Sequence, residues 1–157
     1  MINHLFVALS AEGRVVRFAQ DSGTGELAAA ASFKTPGGPA PIAISPTADY
    51  LYVGRRGAKQ LSAYRLDRSS GAVELVGEIA LRSDPNYLAT DATGGYLFSA
   101  YYTAGACAVH RIGADQVPTE LSWISTGTGA HCMHTDPSNR FAILNHVAEP
   151  EHLNRIY

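Results

Sequence analysis

The 157-residue sequence is poor in charge, in lysine and in cysteine. Asp, Glu, Lys and Arg make up 17% of it, below the roughly 25% of an average soluble domain. That deficit argues against long solvated helices and, with 15 glycines, for many strands and turns. Lys34 and Lys59 are the two lysines among 12 basic residues, and the others are arginines, whose planar five-donor groups suit discrete phosphate or carboxylate sites. A net charge of -2 supplies no strong field for nucleic acid or an anionic membrane, so neither is expected as a partner. Cys107 and Cys132 are too few to staple a chain of this size, which makes reduced thiols and a cytoplasmic location the expectation. No apolar run approaches the ~18 residues of a membrane helix. Met1 to His4 also lack the basic stretch and apolar core of a signal peptide. At 46% hydrophobic, the chain can bury a core of its own, which excludes intrinsic disorder.

What is present is a repeat. Leu5-Phe6-Val7-Ala8 returns as Leu51-Tyr52-Val53-Gly54 and as Leu97-Phe98-Ser99-Ala100, each 46 residues after the last. Phe18, Tyr64 and His110 keep the same offset, and Ser45-Pro46-Thr47 meets Asp91-Ala92-Thr93 and, one residue short, Asp136-Pro137-Ser138. Within a unit, apolar segments of about 4 to 7 residues are separated by turn chemistry, which is the strand signature. In the second unit, residues 41–45, 50–54, 60–66 and 72–81 read as four strands. Pro46 to Asp49 and Asp67 to Gly71 are the turns. A helical solenoid would need paired amphipathic helices, which this Gly and Pro spacing breaks. Four strands in about 46 residues is the blade of a β-propeller.

The expected fold is therefore all-β: four-stranded antiparallel blades in an incomplete propeller. The first blade covers about residues 1–38 and lacks its inner strand, the second 39–84 and the third 85–129, with a fourth begun at 130–157. About three units fall short of the 4 to 8 blades that close a ring, so the chain reads as the N-terminal part of a longer protein. Three blades would leave two blade sides uncovered, so these residues alone are expected to self-associate.

With the blades placed, the chain resembles the lactonase family of seven-bladed propellers, the bacterial type of 6-phosphogluconolactonase. The resemblance is carried by Tyr50-Leu51-Tyr52-Val53-Gly54-Arg55-Arg56 followed by Leu61 to Leu66, by Tyr102-Thr103-Ala104-Gly105, and by Gly129-Ala130-His131 leading into Asp136 to Arg140. It implies about three blades of an expected seven and hydrolysis of a sugar lactone, most simply 6-phosphogluconolactone, by the full-length protein without a cofactor. The family also contains muconate-lactonising enzymes, and a non-catalytic propeller presenting a protein-binding surface is the alternative from another class. Two departures stand out. Asn145-His146-Val147 replaces the Asp-Leu-Gly turn of many members, and the blades that carry further catalytic groups in the muconate enzymes lie beyond Tyr157.

In a blade the inner strand begins where its antiparallel neighbour ends. Ala40, Asn86 and His131, each just ahead of an inner strand, should therefore ring one channel mouth with Arg55-Arg56, Tyr101-Tyr102 and Asn145-His146. His131 is the catalytic candidate: it stands at the mouth, matches the family's histidine, and is of the residue type that titrates nearest neutrality. A hydrogen-bonded turn histidine is its structural alternative. Arg56 suits a substrate phosphate or carboxylate or an inter-blade ion pair, and Arg55, on the opposite strand face, is expected to be solvated. Asn86 and Tyr102 could bind sugar hydroxyls or be engaged within the blade ends. No metal site is expected: alternation places His131 with Met133 and Cys132 with His134, so converging ligands would need a bulge. Cys107 reads as a core thiol, and the absence of a nucleophile elbow removes support for a serine-hydrolase mechanism.

Overall fold

A computed structural model describes residues 2–147. Of the fourth blade expected to begin over residues 130–157, the part from Ala148 to Tyr157 lies outside the described residues. Thirteen strands and one 3-10 turn, Ser10–Glu12, make up the regular structure of the described residues. They form four antiparallel sheets in chain order. The first holds β1 (Ile2–Leu9), β2 (Arg14–Asp21) and β3 (Leu27–Lys34). The second holds β4 (Pro39–Ile44), β5 (Tyr50–Arg55), β6 (Gln60–Leu66) and β7 (Val73–Ala80). The third repeats this with β8 (Tyr87–Thr90), β9 (Tyr96–Tyr101), β10 (Ala106–Ile112) and β11 (Pro118–Ser125). The fourth pairs β12 (Ala130–Thr135) with β13 (Ala142–His146). The architecture is a partial β-propeller.

The repeat is realised as ladder register. Leu5 pairs with Phe18, Leu51 with Tyr64 and Leu97 with His110. The one-residue shortening has a local cause: Leu66 pairs with Val73 across a turn of residues 67–72, whereas Ile112 pairs with Pro118 across 113–117. Asp21 and Asp67 open equivalent hairpins by accepting N–H groups of Gly23 and Thr24, and of Ser69 and Ser70. Glycines 25 and 71 follow in the left-handed region those turns need.

Stacking of the sheets explains why β5 and β9 read as continuous apolar runs: each is covered on both faces by its neighbours. Leu51, Val53 and Tyr64 are buried with Val15 between the first two sheets. Tyr52, Leu61, Leu97 and Tyr101 fill the space between the second and third, and Phe98, Ala100, Met133 and Leu144 that between the third and fourth. Cys107 is a buried free thiol in the last of these clusters, as its setting in the sequence suggests.

Double coverage also corrects the reading of Arg55. It is only 6% exposed, its guanidinium 2.8 Å from the Glu78 carboxylate and 2.5 Å from Gln60 Oε1, with a further bond to the Pro36 carbonyl. The face opposite Arg56 meets the first sheet rather than water, so the arginine there must be paired.

Candidate active site

The mouth is built where inner strands start and their partners finish. Asn86 immediately precedes β8, and Tyr102 immediately follows β9. The Asn86 side chain lies between neighbouring sheets: its Oδ1 accepts the Tyr102 N–H at 2.6 Å and its Nδ2 donates to the His131 carbonyl at 2.8 Å. The rings of Tyr102 and His131 stand edge to face, centroids 6.3 Å apart and planes at 84°. Asn86, Tyr102 and His131 are thus one constellation on the third and fourth sheets.

The exposure of His131 depends on a backbone irregularity. Ala130 pairs with His146 and Cys132 with Asn145, so His131 is the extra residue of a β-bulge. Strict alternation would put His131 on the face of Met133, which is buried with Leu144 against the third sheet. The bulge instead lets Ala130 and Met133 share that buried face while His131 turns outward. This corrects the grouping of His131 with Met133. Ala40 and His131 also fall inside β4 and β12 rather than ahead of them, because the ladders continue past the bulges: Pro39 still pairs with Arg55 and Ala130 with His146. The signal in the sequence was the three-residue spacing of Ala130 and Met133, which is not a strand period.

Arg56 lies one residue beyond β5, at the place on the second sheet that Tyr102 takes on the third. Its N–H is bonded to the Gly38 carbonyl, while its guanidinium is exposed and forms no ion pair among the described residues. Tyr101 and His146, expected at the mouth, are both buried. Tyr101 packs on Trp123 with its hydroxyl accepting from Ser99, and His146 Nε2 lies 3.0 Å from Thr126 Oγ1. Each belongs to the buried face of its strand, so nearness in sequence to the strand end does not bring it to the opening.

Two polar groupings escaped the sequence reading. His134 reaches the Tyr87 hydroxyl across the third and fourth sheets, the two rings edge to face. Partial burial raises the Tyr87 phenol above its ordinary range, with Cys132 nearby adding to the effect. His110, fully buried, has its Nε2 2.8 Å from Ser99 Oγ. Among the described residues, no three His, Cys, Asp or Glu side chains converge as metal ligands.

The fold has counterparts in known proteins. Residues 5–147 match the family described as "Lactonase, 7-bladed beta-propeller". The chain belongs to that family. Over 117 residues it is 35% identical to the 6-phosphogluconolactonase of Klebsiella pneumoniae strain 342, an alignment covering 74% of this chain and 35% of that protein. The chain spans about a third of the length of the curated relatives it matches. Among solved structures, the Pseudomonas aeruginosa periplasmic gluconolactonase superposes with a TM-score of 0.81 at 20% identity, covering 93% of this chain and 47% of that one. Hydrazine synthase of Kuenenia stuttgartiensis superposes at 0.76 with 13% identity, covering 98% and 42%. At these identities both likenesses carry the fold alone.

Proposed function

We propose that the protein carrying this chain is a lactonase that hydrolyses a sugar lactone, 6-phosphogluconolactone foremost, to the open-chain acid. The observation that carries the reading is the outward bulge of His131 beside Tyr102 and Asn86, in a chain of the lactonase family. Hydrolysis needs a base to take a proton from water and a way to bear the negative charge of the tetrahedral intermediate. His131 accepts the proton as the water oxygen bonds to the lactone carbonyl carbon. The ring C–O bond then breaks, and the leaving oxygen takes up a proton to become a hydroxyl. Tyr102 contacts the sugar at the same opening, and the exposed guanidinium of Arg56 binds the phosphate through charge-assisted hydrogen bonds.

A cytoplasmic location belongs to the same reading, supported by the free thiols of Cys107 and Cys132. Self-association of these residues expressed alone is supported by Phe141, Ile143 and Val147, all exposed along one side of the last sheet.

Initial rates of ring opening by the native protein test the substrate, with spontaneous hydrolysis subtracted. The phosphorylated lactone should react faster than its unphosphorylated counterpart. Arg56→Gln should raise KM for the phosphorylated substrate about tenfold and leave the other unchanged, the size expected for one lost charge-assisted contact. Equal effects on both lactones would remove Arg56 from the phosphate site, and no acceleration of any lactone would remove the reading itself.

A further inference from the structure

We infer that Asn86 is a positioning residue for His131 rather than a ligand of the substrate. An asparagine at a channel mouth invites assignment to sugar hydroxyls, but this one turns its amide onto the protein. Its Oδ1 is taken by the Tyr102 N–H and one Nδ2 hydrogen by the His131 carbonyl. The first of those bonds stays within the third sheet, and the second ties the third sheet to the fourth where the ladder is irregular. The second bond ends on the carbonyl of the bulged residue itself.

A bulged residue needs such a tie. The extra residue leaves ladder groups without their regular partners, and its side-chain direction then depends on how the local backbone is held. The Asn86 Nδ2–H satisfies the His131 carbonyl, and the Asn86 N–H is itself bonded to the Ala100 carbonyl, so the side chain that holds His131 grows from a fixed point. Tyr102 is anchored from the other side, its N–H by Asn86 and its carbonyl by the Gly129 N–H at 3.0 Å. Gly129 lies two residues before His131 with φ of +90°, and a Cβ there would stand 2.4 Å from the Val147 carbonyl oxygen. The imidazole therefore stands beside the Tyr102 ring on a backbone held on both sides of the bulge.

The catalytic consequence rests on the lactonase reading; the clamp does not. The native protein with 13C-labelled histidines separates the two, in wild type, Asn86→Ala and Asn86→Asp. The aspartate is near-isosteric and keeps the acceptor for Tyr102 while losing the donor to His131, which guards against a plain folding defect. In both variants the His131 ring signals should broaden or split while those of buried His110 stay as in wild type. For lactone opening, kcat should fall about 10- to 100-fold, the scale of a misplaced catalytic group, with KM within about twofold. A raised KM with kcat maintained would make Asn86 a substrate ligand and overturn the inference. So would His131 ring signals unchanged in both variants. If wild type opens no lactone, the functional reading fails, and the ring signals alone decide the clamp.

Discussion

His110 stands where Phe18 and Tyr64 stand in the preceding units, opposite the same leucine of the ladder. It has no solvent exposure, and its Nε2 faces Ser99 Oγ, which in turn donates to the Tyr101 hydroxyl. Burial pushes its pKa down to about 4 from 6.5, with the Glu120 carboxylate opposing weakly. The sign follows from which state holds the proton. Below pH 6.5 the unfolded chain takes it up while the folded chain does not until near pH 4, so stability is full above 6.5 and falls across that window. The loss is on the order of 3 kcal/mol. His110→Phe, which installs the residue of the first unit, should flatten the decline between pH 6.5 and 4.5 in thermal melts. Parallel declines in wild type and variant would contradict this account of His110.

At the scale of elements, the strands were legible and the bulges were not. The second unit's strand at residues 60–66 is β6, and the turns at Pro46 and Asp67 lie where their hydrogen-bonding side chains predict. Strand signals are local in apolar runs and turn residues, and a 46-residue repeat supplies each of them more than once. The bulge at His131 depends on which side chains the neighbouring sheet will cover, a tertiary matter that strict alternation misses. The burial of Arg55 escaped for the same reason, since one sheet's outer face is the next sheet's inner one. Gly54 tests that stacking. A Cβ on this β5 residue would lie 2.6 Å from the Pro41 ring and 2.9 Å from that of Pro85, one on the adjoining strand and one on the approach to the next sheet. Gly54→Ala should therefore cost about 1–3 kcal/mol, the range for overpacking, and lower the melting temperature by several degrees. A melting curve matching wild type would show that these sheets stack less closely than the structure has them.

At the scale of the whole molecule, the third and fourth sheets are joined at both ends as well as through their core. Asn139 accepts the Ala92 N–H and donates to the Asp91 carboxylate at the end away from the mouth, while Asn86 joins the same two sheets at the mouth. Hydrogen bonds to Thr93 and Asn139 hold the Asp91 carboxyl below its ordinary range against the opposing effect of burial. The Asn139 link therefore joins a turn of one sheet to an ionised turn of the next. Fixing adjacent sheets at both ends gives the mouth a set geometry, and catalysis by positioned groups requires one. The central claim, that this geometry presents His131 as the base of a lactone hydrolase, is tested most directly by His131→Ala in the native protein. Ring opening is followed on 6-phosphogluconolactone against spontaneous hydrolysis in matched buffer. The account predicts a rate lower by about 10² to 10⁴-fold, the range for removing a general base, with an unchanged melting temperature, and a variant that opens the lactone at the wild-type rate would contradict it.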